Sequence, residues 1–353
     1  MPPMNMAPLP DPIALAMFYR LILEIGAAAA LATALGYLWL RRHRQAPAES
    51  LPPLAERVSW ALGALWLLDG LLQMQPLMVT HFIGGFLAPL LDGEPSWLQA
   101  IVRVGIDLWS INPIVWNALA AWLQAGIGVA LLFSRRPVIR RTALWVSIGW
   151  SAMVWLAGEA MGGVFAGGSW LSGSPGSVLL YGLLAGALLW EEGWQDGRLS
   201  PYFRWGLAAY FGLAAVLQAW PASGFWGTSL AKFVQSMAEM PQPAVLSAPL
   251  YAWAAALTAH PAIWNGAITS VAAALCLLWA VRPHRPVTFW ASVATSLAVW
   301  YFGQDFGVLG GMGTDPNTGA PLLVGLLAYP ALAGLRLRVG ASQTTVPTPR
   351  MTP

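Results

Sequence analysis

The sequence predicts an all-α polytopic transmembrane helical bundle with about nine spans, formed by an N-terminal helix and two parallel four-helix repeats. Of its 353 residues, 57% are hydrophobic and 9% are charged, whereas a soluble domain carries about 25% charged residues. Apolar runs recur at the length of roughly 20 residues that crosses a bilayer. The composition argues against a soluble enzyme, and a single cysteine argues against a disulfide framework.

The first predicted span, residues 13–40, contains Arg20 and Glu24, which are four residues apart and can therefore pair on one helix face. A 15-residue apolar segment, 245–259, contains Pro249 and is predicted to lie at the interface or to re-enter the membrane rather than to span it. The other predicted spans are 57–78, 113–133, 142–158, 175–190, 204–221, 261–281, 287–303 and 320–335.

The arginines predict the orientation, because basic residues are concentrated on the cytoplasmic side of a membrane protein. They cluster at 41–57, 135–141, 198–204, 282–285 and 336–350, all on one side of a nine-span chain. The prediction is a multi-pass protein of the cytoplasmic (inner) membrane with its N-terminus outside and its C-terminus in the cytoplasm. The N-terminal residues contain no basic region of a cleavable signal, so the first helix is predicted to be retained. Basic clusters beside apolar runs give no argument for nucleic acid as a partner.

An internal repeat divides the chain. The segment WALGALWLLDGLLQMQP from Trp60 aligns with WGLAAYFGLAAVLQAWP from Trp205, and NPIVWN (112–117) aligns with HPAIWN (260–265). Residues 144–163 align with 289–308, and all three alignments have offsets of 145 to 148. Each unit has four spans, so the two units enter the membrane from the same side and are parallel, with a pseudo-twofold axis along the membrane normal.

These boundaries predict four segments and one outer feature in each unit. The segments are an N-terminal transmembrane helix (1–45), repeat unit 1 (57–190), repeat unit 2 (204–338) and a disordered tail (340–353) rich in Pro and Thr. In unit 1 the outer loop contains an amphipathic helix at 97–110, and 229–239 shows a similar pattern in unit 2.

The repeat unit resembles a known family. Its first helix starts with ERVSWALGALWLLDGLLQ (56–73), and a long outer loop follows; QAGIGVALLFSRRPVIRRTALWVSIGW (124–150) carries a basic turn after the second helix. This pattern is similar to that of the DoxX/DoxD-like membrane proteins, which include the membrane subunit of thiosulfate:quinone oxidoreductases. The resemblance covers roughly 57–190 and, more weakly, 204–335. It implies an accessory subunit of a quinone-linked redox system.

Two polar features could form a site. Asp69 lies within the second span, where a charge costs at least ~2.5 kcal/mol, and Ala214 occupies the matching position of the second unit. The third span of each unit ends in a Gly-rich segment, GEAMGGVFAGG (158–168) and GQDFGVLGGMG (303–313). Glycines allow close approach of a backbone or a ligand, although Gly158 and Gly162 also have the spacing of a helix-packing motif.

We therefore predict a ligand site between the units at the level of the outer leaflet. Its residues are Glu159, Gly162, Gly163, Gln304, Asp305, Gly307, Gly310 and Gly311, with Arg103 nearby. Glu159, Asp305 and Asp69 are the candidate catalytic residues, but no catalytic pair is evident. No metal site is predicted, because no histidines have a ligand spacing and TDPNTG (314–319) is typical of a turn.

Three functions remain open at this point. The first is an accessory or ligand-binding subunit that binds a quinone or a lipid without a covalent cofactor, with membrane lipid and an extracytoplasmic or membrane protein as partners. The second is a small-solute transporter built from two parallel repeats. The third is a lipid-modifying enzyme with an outer-facing acidic residue.

Overall fold

A computed structural model describes residues 12–42, 51–309 and 313–335. The described residues form an all-α bundle, which confirms the predicted all-α class, and the count of nine spans stays a prediction. The predicted C-terminal tail lies outside the described residues, as do two of the predicted site glycines, Gly310 and Gly311.

Most helices of the first half begin where the sequence supplies proline, which fits the first turn because its missing N–H would have no partner there. The main helices of this half are α1 (Pro12–Arg42), α2 (Pro53–Leu72), α3 (Ser96–Ile111), α4 (Pro113–Phe133), α5 (Pro137–Met153) and α6 (Ser177–Leu189). Shorter helical turns connect them at Leu77–Thr80, Phe82–Leu87, Ala88–Leu91, Val154–Gly158, Ala160–Gly163 and Glu191–Gln195.

The second half repeats the order of α2 to α6 and contains one additional helix, α8. Its main helices are α7 (Ser200–Ala219), α8 (Ser229–Ala238), α9 (Ala244–Ala259), α10 (Pro261–Val281), α11 (Pro286–Phe302) and α12 (Gly319–Leu332). Short turns occur at Pro221–Ser223 and Asp305–Gly307. Within unit 1, α2 packs along α4 and α5 along α6; within unit 2, α7 packs along α10 and α11 along α12.

Three described helices are long and apolar enough to cross a membrane by length and composition, namely Pro12–Gly36 of α1, Pro113–Phe133 and Pro261–Val281. This supports the prediction of a membrane protein. The helix α1 is peripheral, because it contacts the bundle through Phe18 and Ile22 while most of its surface stays exposed. The Arg20 and Glu24 side chains pair on that exposed surface, with Nε and Oε1 2.7 Å apart.

Equivalent contacts recur in the two units. The Gln73 amide donates to Asn117 Oδ1 over 2.7 Å, and Gln218 donates to Asn265 Oδ1 over the same distance. The indole N–H groups of Trp155 and Trp300 donate to the carbonyl oxygens of residues 175 and 316, over 2.6 and 2.7 Å. These contacts agree with the sequence repeat, and full superposition of the two units stays a prediction.

The segment 245–259 is an α-helix, α9, that packs against α8 and α10. At the repeat offset of 148 it corresponds to α3, which also has 16 residues and is also separated by one residue from a proline that starts the next helix. Residues 229–238 therefore correspond to the turns at 82–91, and not to the amphipathic helix of unit 1. The two helices bury equivalent positions, Val102 and Trp109 in α3 and Leu250 and Leu257 in α9. They differ on the exposed face, where Tyr251 and Ala255 of α9 replace Arg103 and Asp107 of α3.

The two units contact each other mainly through α12, which packs against α2 and α6 of unit 1 and against α7 of its own unit. Ala328 and Leu332 of α12 belong to the same buried cluster as Trp66 and Tyr181 of unit 1. The loop that precedes α12 is thereby held beside the first unit.

Candidate functional site

A cavity of about 750 Å³ lies in unit 1, between α2, α3, α4 and α5. The segment 157–178 lines it from unit 1, and residues 314, 315 and 317 line it from unit 2. The site is therefore completed by both units, although most of its surface belongs to the first.

Asp69 lies at the wall of this cavity and is only 2% exposed. The hydroxyl group of Tyr181 donates to its Oδ1 over 3.3 Å. The Tyr181 ring is packed edge-on against Trp66, whose indole N–H donates to Ser147 Oγ over 2.8 Å. The aromatic core of unit 1 thus fixes the position of this carboxyl group.

Glu159 follows the last residue of the π-helical turn Val154–Gly158 and is directed into the cavity. Ser177 at the start of α6 donates from Oγ to Glu159 Oε1 over 3.1 Å. A Cβ atom at Gly176 would lie 2.2 Å from Glu159 Oε2, so only glycine leaves room for this carboxyl group. Burial, and after it the nearby carboxyl group of Asp315, raise the pKa of Glu159 to about 8.

Asp315 is contributed by unit 2. Its Oδ1 accepts from the backbone N–H of Asn317 over 2.6 Å, and burial raises the pKa of its carboxyl group. Gln75 of unit 1 donates to the carbonyl oxygen of Gly313 over 2.7 Å and holds this loop against the first unit. The sequence identified only a turn here, because nothing in a single sequence indicates which distant loop approaches Glu159.

Two uncharged side chains of the cavity wall each have a polar atom without a hydrogen-bond partner among the described residues. Gln124 Oε1 on α4 and the Trp150 indole N–H on α5 are both buried and unpaired. Neither residue was predicted from the sequence. The available signal was Gln124, an amide near the middle of a largely apolar span.

The remaining walls are largely apolar, with aromatic rings from Phe82, Phe86 and Trp109. Five acidic residues line the cavity, and none of the described lining residues is Lys, Arg or His. The five are Asp69, Asp92, Glu94, Glu159 and Asp315. Among the described residues, no group of three or more His, Cys, Asp or Glu side chains could hold a metal ion.

Some predicted site residues lie elsewhere. Gly162 and Gly163 line the cavity with Glu159 and Asp69, whereas Arg103 is on the exposed side of α3.

Gln304 and Asp305 do not line this cavity, because other groups engage them, and the Gln304 amide also donates to the carbonyl oxygen of Trp170 in unit 1 over 3.1 Å. Gln304 donates to Thr318 Oγ1 over 2.8 Å, and Asp305 Oδ2 accepts from the Gln242 amide over 2.8 Å. Gly307 lies against the backbone of residues 315–317, where a Cβ atom would come within 2.6 Å.

Unit 2 contains a smaller counterpart of the cavity. It measures about 320 Å³ and is lined by apolar side chains with one threonine, Thr295. Trp253 of α9 lines it at the position that Gly105 of α3 occupies in unit 1. By the repeat offsets, Asp69, Gln124, Trp150 and Glu159 correspond to Ala214, Ala272, Thr295 and Gln304. The strongly polar site is therefore a feature of unit 1.

Comparison with known proteins found no matching family model, no similar curated protein and no similar solved structure. The resemblance to DoxX/DoxD-like proteins stays an expectation from the sequence.

Proposed function

We propose that this protein is an integral membrane protein that binds an amphiphilic small molecule in the cavity of unit 1. One observation carries the proposal: the apolar-walled cavity of about 750 Å³ holds buried polar groups at Asp69, Gln124, Trp150 and Glu159. Ligand sites are typically concave and mostly apolar, with a few polar groups that orient the ligand. The unpaired oxygen of Gln124 and N–H of Trp150 supply such groups.

The proposal includes the membrane topology. Nine spans, with the N-terminus outside and the C-terminus in the cytoplasm of an inner-membrane protein, put Glu159 and the loop 313–317 at the level of the outer leaflet. The helices α3, α8 and α9 are assigned to the outer side, because an additional span at any one of them would put the basic clusters that follow on the opposite side of the membrane.

Ligand binding is favoured over the other two functions by the asymmetry of the units. A transporter that alternates between two equivalent halves is expected to repeat its polar groups, but Ala214 and Ala272 replace Asp69 and Gln124 in unit 2. A lipid-modifying enzyme needs an acid–base pair on a reacting group, and no geometry here defines a reaction. The accessory role in a quinone-linked system rests on the sequence resemblance. A quinone is one example of an amphiphilic small molecule that this cavity could bind.

Cavity filling tests the proposal. Ala120 on α4 is buried and lines the cavity, whereas its neighbour Leu119 is exposed. The purified protein in phosphatidylcholine nanodiscs is titrated with decylubiquinone, a neutral amphiphile, and quenching of tryptophan fluorescence is recorded. We expect saturable quenching that Ala120→Phe weakens at least about tenfold, equivalent to 1.4 kcal/mol, and that Leu119→Phe leaves unchanged. Equal quenching in both variants would show that the quinone only partitions into the lipid.

A further inference from the structure

We propose that the cavity of unit 1 binds an organic cation and that the cation displaces a proton from Glu159. The inference rests on the proposed function, because it assigns the class of ligand to the same cavity.

The charges of the cavity walls favour a cation as the ligand. Five carboxyl groups line the cavity, and no described lining residue is basic. A buried carboxylate without a counter-charge is strongly disfavoured, so the ionised form of this site needs a cation. An anionic headgroup would meet five carboxyl groups and no basic side chain among the described lining residues.

A second observation, independent of the acidic residues, points to a ligand. Gln124 is 9% exposed and lines the cavity, and its Oε1 has no partner among the described residues. A buried acceptor without a partner costs about 1–3 kcal/mol. A ligand that donates a hydrogen bond, or carries positive charge, would recover this cost.

The aromatic walls indicate an organic cation rather than a metal ion. Phe82, Phe86, Trp109 and Trp150 line the cavity, and aromatic faces attract ammonium-type cations that have shed their water. A metal ion needs converging ligands, which the described residues do not provide. The volume of about 750 Å³ also suits a ligand of drug-like size.

The link to a proton follows from the groups that face Glu159. Ser177 and Tyr181 approach this region from α6, Asp69 from α2 and Asp315 from the loop of unit 2. The other acidic lining groups are Asp92 and Glu94, in the segment between the turn at 88–91 and α3. Burial and Asp315 raise the pKa of Glu159 to about 8, so the empty site holds a proton at neutral pH. A bound cation favours the carboxylate, and the proton leaves to solvent.

Unit 2 shows that Glu159 can be replaced without a change of fold. Gln304 occupies the equivalent position with φ −125° and ψ −4°, compared with −123° and −1° for Glu159. Thr318 contacts Gln304 as Ser177 contacts Glu159. The variant Glu159→Gln therefore removes the charge in a backbone context that already accepts glutamine.

The test uses two ions of matched size and opposite charge. The full-length protein in phosphatidylcholine nanodiscs is dialysed at equilibrium against tetraphenylphosphonium or tetraphenylborate at pH 6, 7 and 8. We expect saturable binding of the phosphonium alone. Below the pKa of Glu159, its affinity should increase about tenfold for each unit by which the pH increases. In Glu159→Gln the affinity at pH 8 falls at least about tenfold, and most of the pH dependence is lost. Asp305→Asn, a charge change outside the cavity, is the matched control. It is expected to keep both the affinity and the pH dependence of the unchanged protein.

Other results would overturn the inference in distinguishable ways. Equal binding of the two ions would contradict the selectivity for cations. An unchanged pH dependence in Glu159→Gln would contradict the displacement of a proton from Glu159. Saturable binding of decylubiquinone without binding of the phosphonium would leave the proposed function standing and overturn the cation, whereas binding of none of the three would overturn both.

Discussion

At the scale of single residues, Glu159 and Gln304 show how one side chain separates two otherwise similar sites. Both follow a helix end with nearly the same backbone angles, and both contact a hydroxyl group at the start of the next helix. The neutral glutamine donates to Thr318 Oγ1 and to the carbonyl oxygen of Trp170, and its Oε1 accepts from the backbone N–H of Gly319. The glutamate places an ionisable group at the wall of the larger cavity.

This difference predicts a pH dependence of stability. An unfolded Glu159 loses its proton near its ordinary pKa of 4.5, while the folded residue keeps it up to about 8. The folded protein binds more protons between these values, so the free energy of unfolding decreases as the pH rises through this window, by at most about 1.4 kcal/mol per unit. Thermal unfolding in detergent, recorded from pH 5 to pH 8, measures this decrease in stability.

Glu159→Gln should flatten that decrease, because glutamine does not titrate. The exposed Glu192 provides the control, and Glu192→Gln is expected to keep the slope of the unchanged protein. A slope that is the same in both variants would mean that Glu159 ionises normally in the folded state.

At the scale of elements, the turn after α5 determines where Glu159 lies. Ala160, Met161, Gly162 and Gly163 all have positive φ values, and Asp305, Phe306 and Gly307 repeat this conformation after α11. Such a run of left-handed residues is unfavourable for L side chains, at a cost of roughly 1–2 kcal/mol each. The turn reverses the chain tightly enough for residues 175–177 to pack against it.

Gly162 and Gly163 should respond differently to substitution by alanine. Their φ values are +70° and +69°, but a Cβ atom at Gly162 would lie 2.3 Å from the carbonyl carbon of Pro175, whereas at Gly163 the nearest atom is 3.8 Å away. Gly163→Ala is expected to cost about 1–2 kcal/mol from strain alone. Gly162→Ala must also displace the backbone, so a loss of at least about 3 kcal/mol is expected. Comparable unfolding temperatures for the two variants would contradict this packing.

The helices α3 and α9 show how tertiary contacts change the pattern of a repeated element. Both have 16 residues and precede a proline-initiated helix by one residue. In α3 one face lines the cavity while Arg103 and Asp107 are exposed. In α9 the corresponding position of Gly105 is Trp253, which packs edge-on against Trp264 and contributes to the smaller cavity of unit 2.

At the scale of the whole molecule, the proposed topology gives a direct test. Reporter fusions at positions 137, 195, 284 and 345 should all report the cytoplasm, and a fusion at position 240 should report the outside, because basic loops stay on the cytoplasmic side. The fusion at 240 is the decisive one, since it lies between α8 and α9. A cytoplasmic signal there would overturn the proposed topology, because it would mean an additional or a missing span before position 240.

The sequence by itself determined the all-α class, the apolar helices and the internal repeat. These depend on local composition, on proline at helix starts and on residue spacing, which a single chain displays directly. It also identified Asp69 and Glu159, because an acidic group within or beside an apolar span is conspicuous. The pairing of Arg20 with Glu24 followed from their spacing alone.

The tertiary structure alone decided which of these residues meet. Asp315 joins Glu159 through the packing of α12 against unit 1. Gln304 instead donates to Thr318 and to the carbonyl oxygen of Trp170, and Asp305 accepts from Gln242. The position of Gln124 relative to the cavity likewise depends on how α4 packs along α2. Contacts between distant parts of a chain arise from the packing of complementary surfaces, and the periodicity of one sequence does not contain that information.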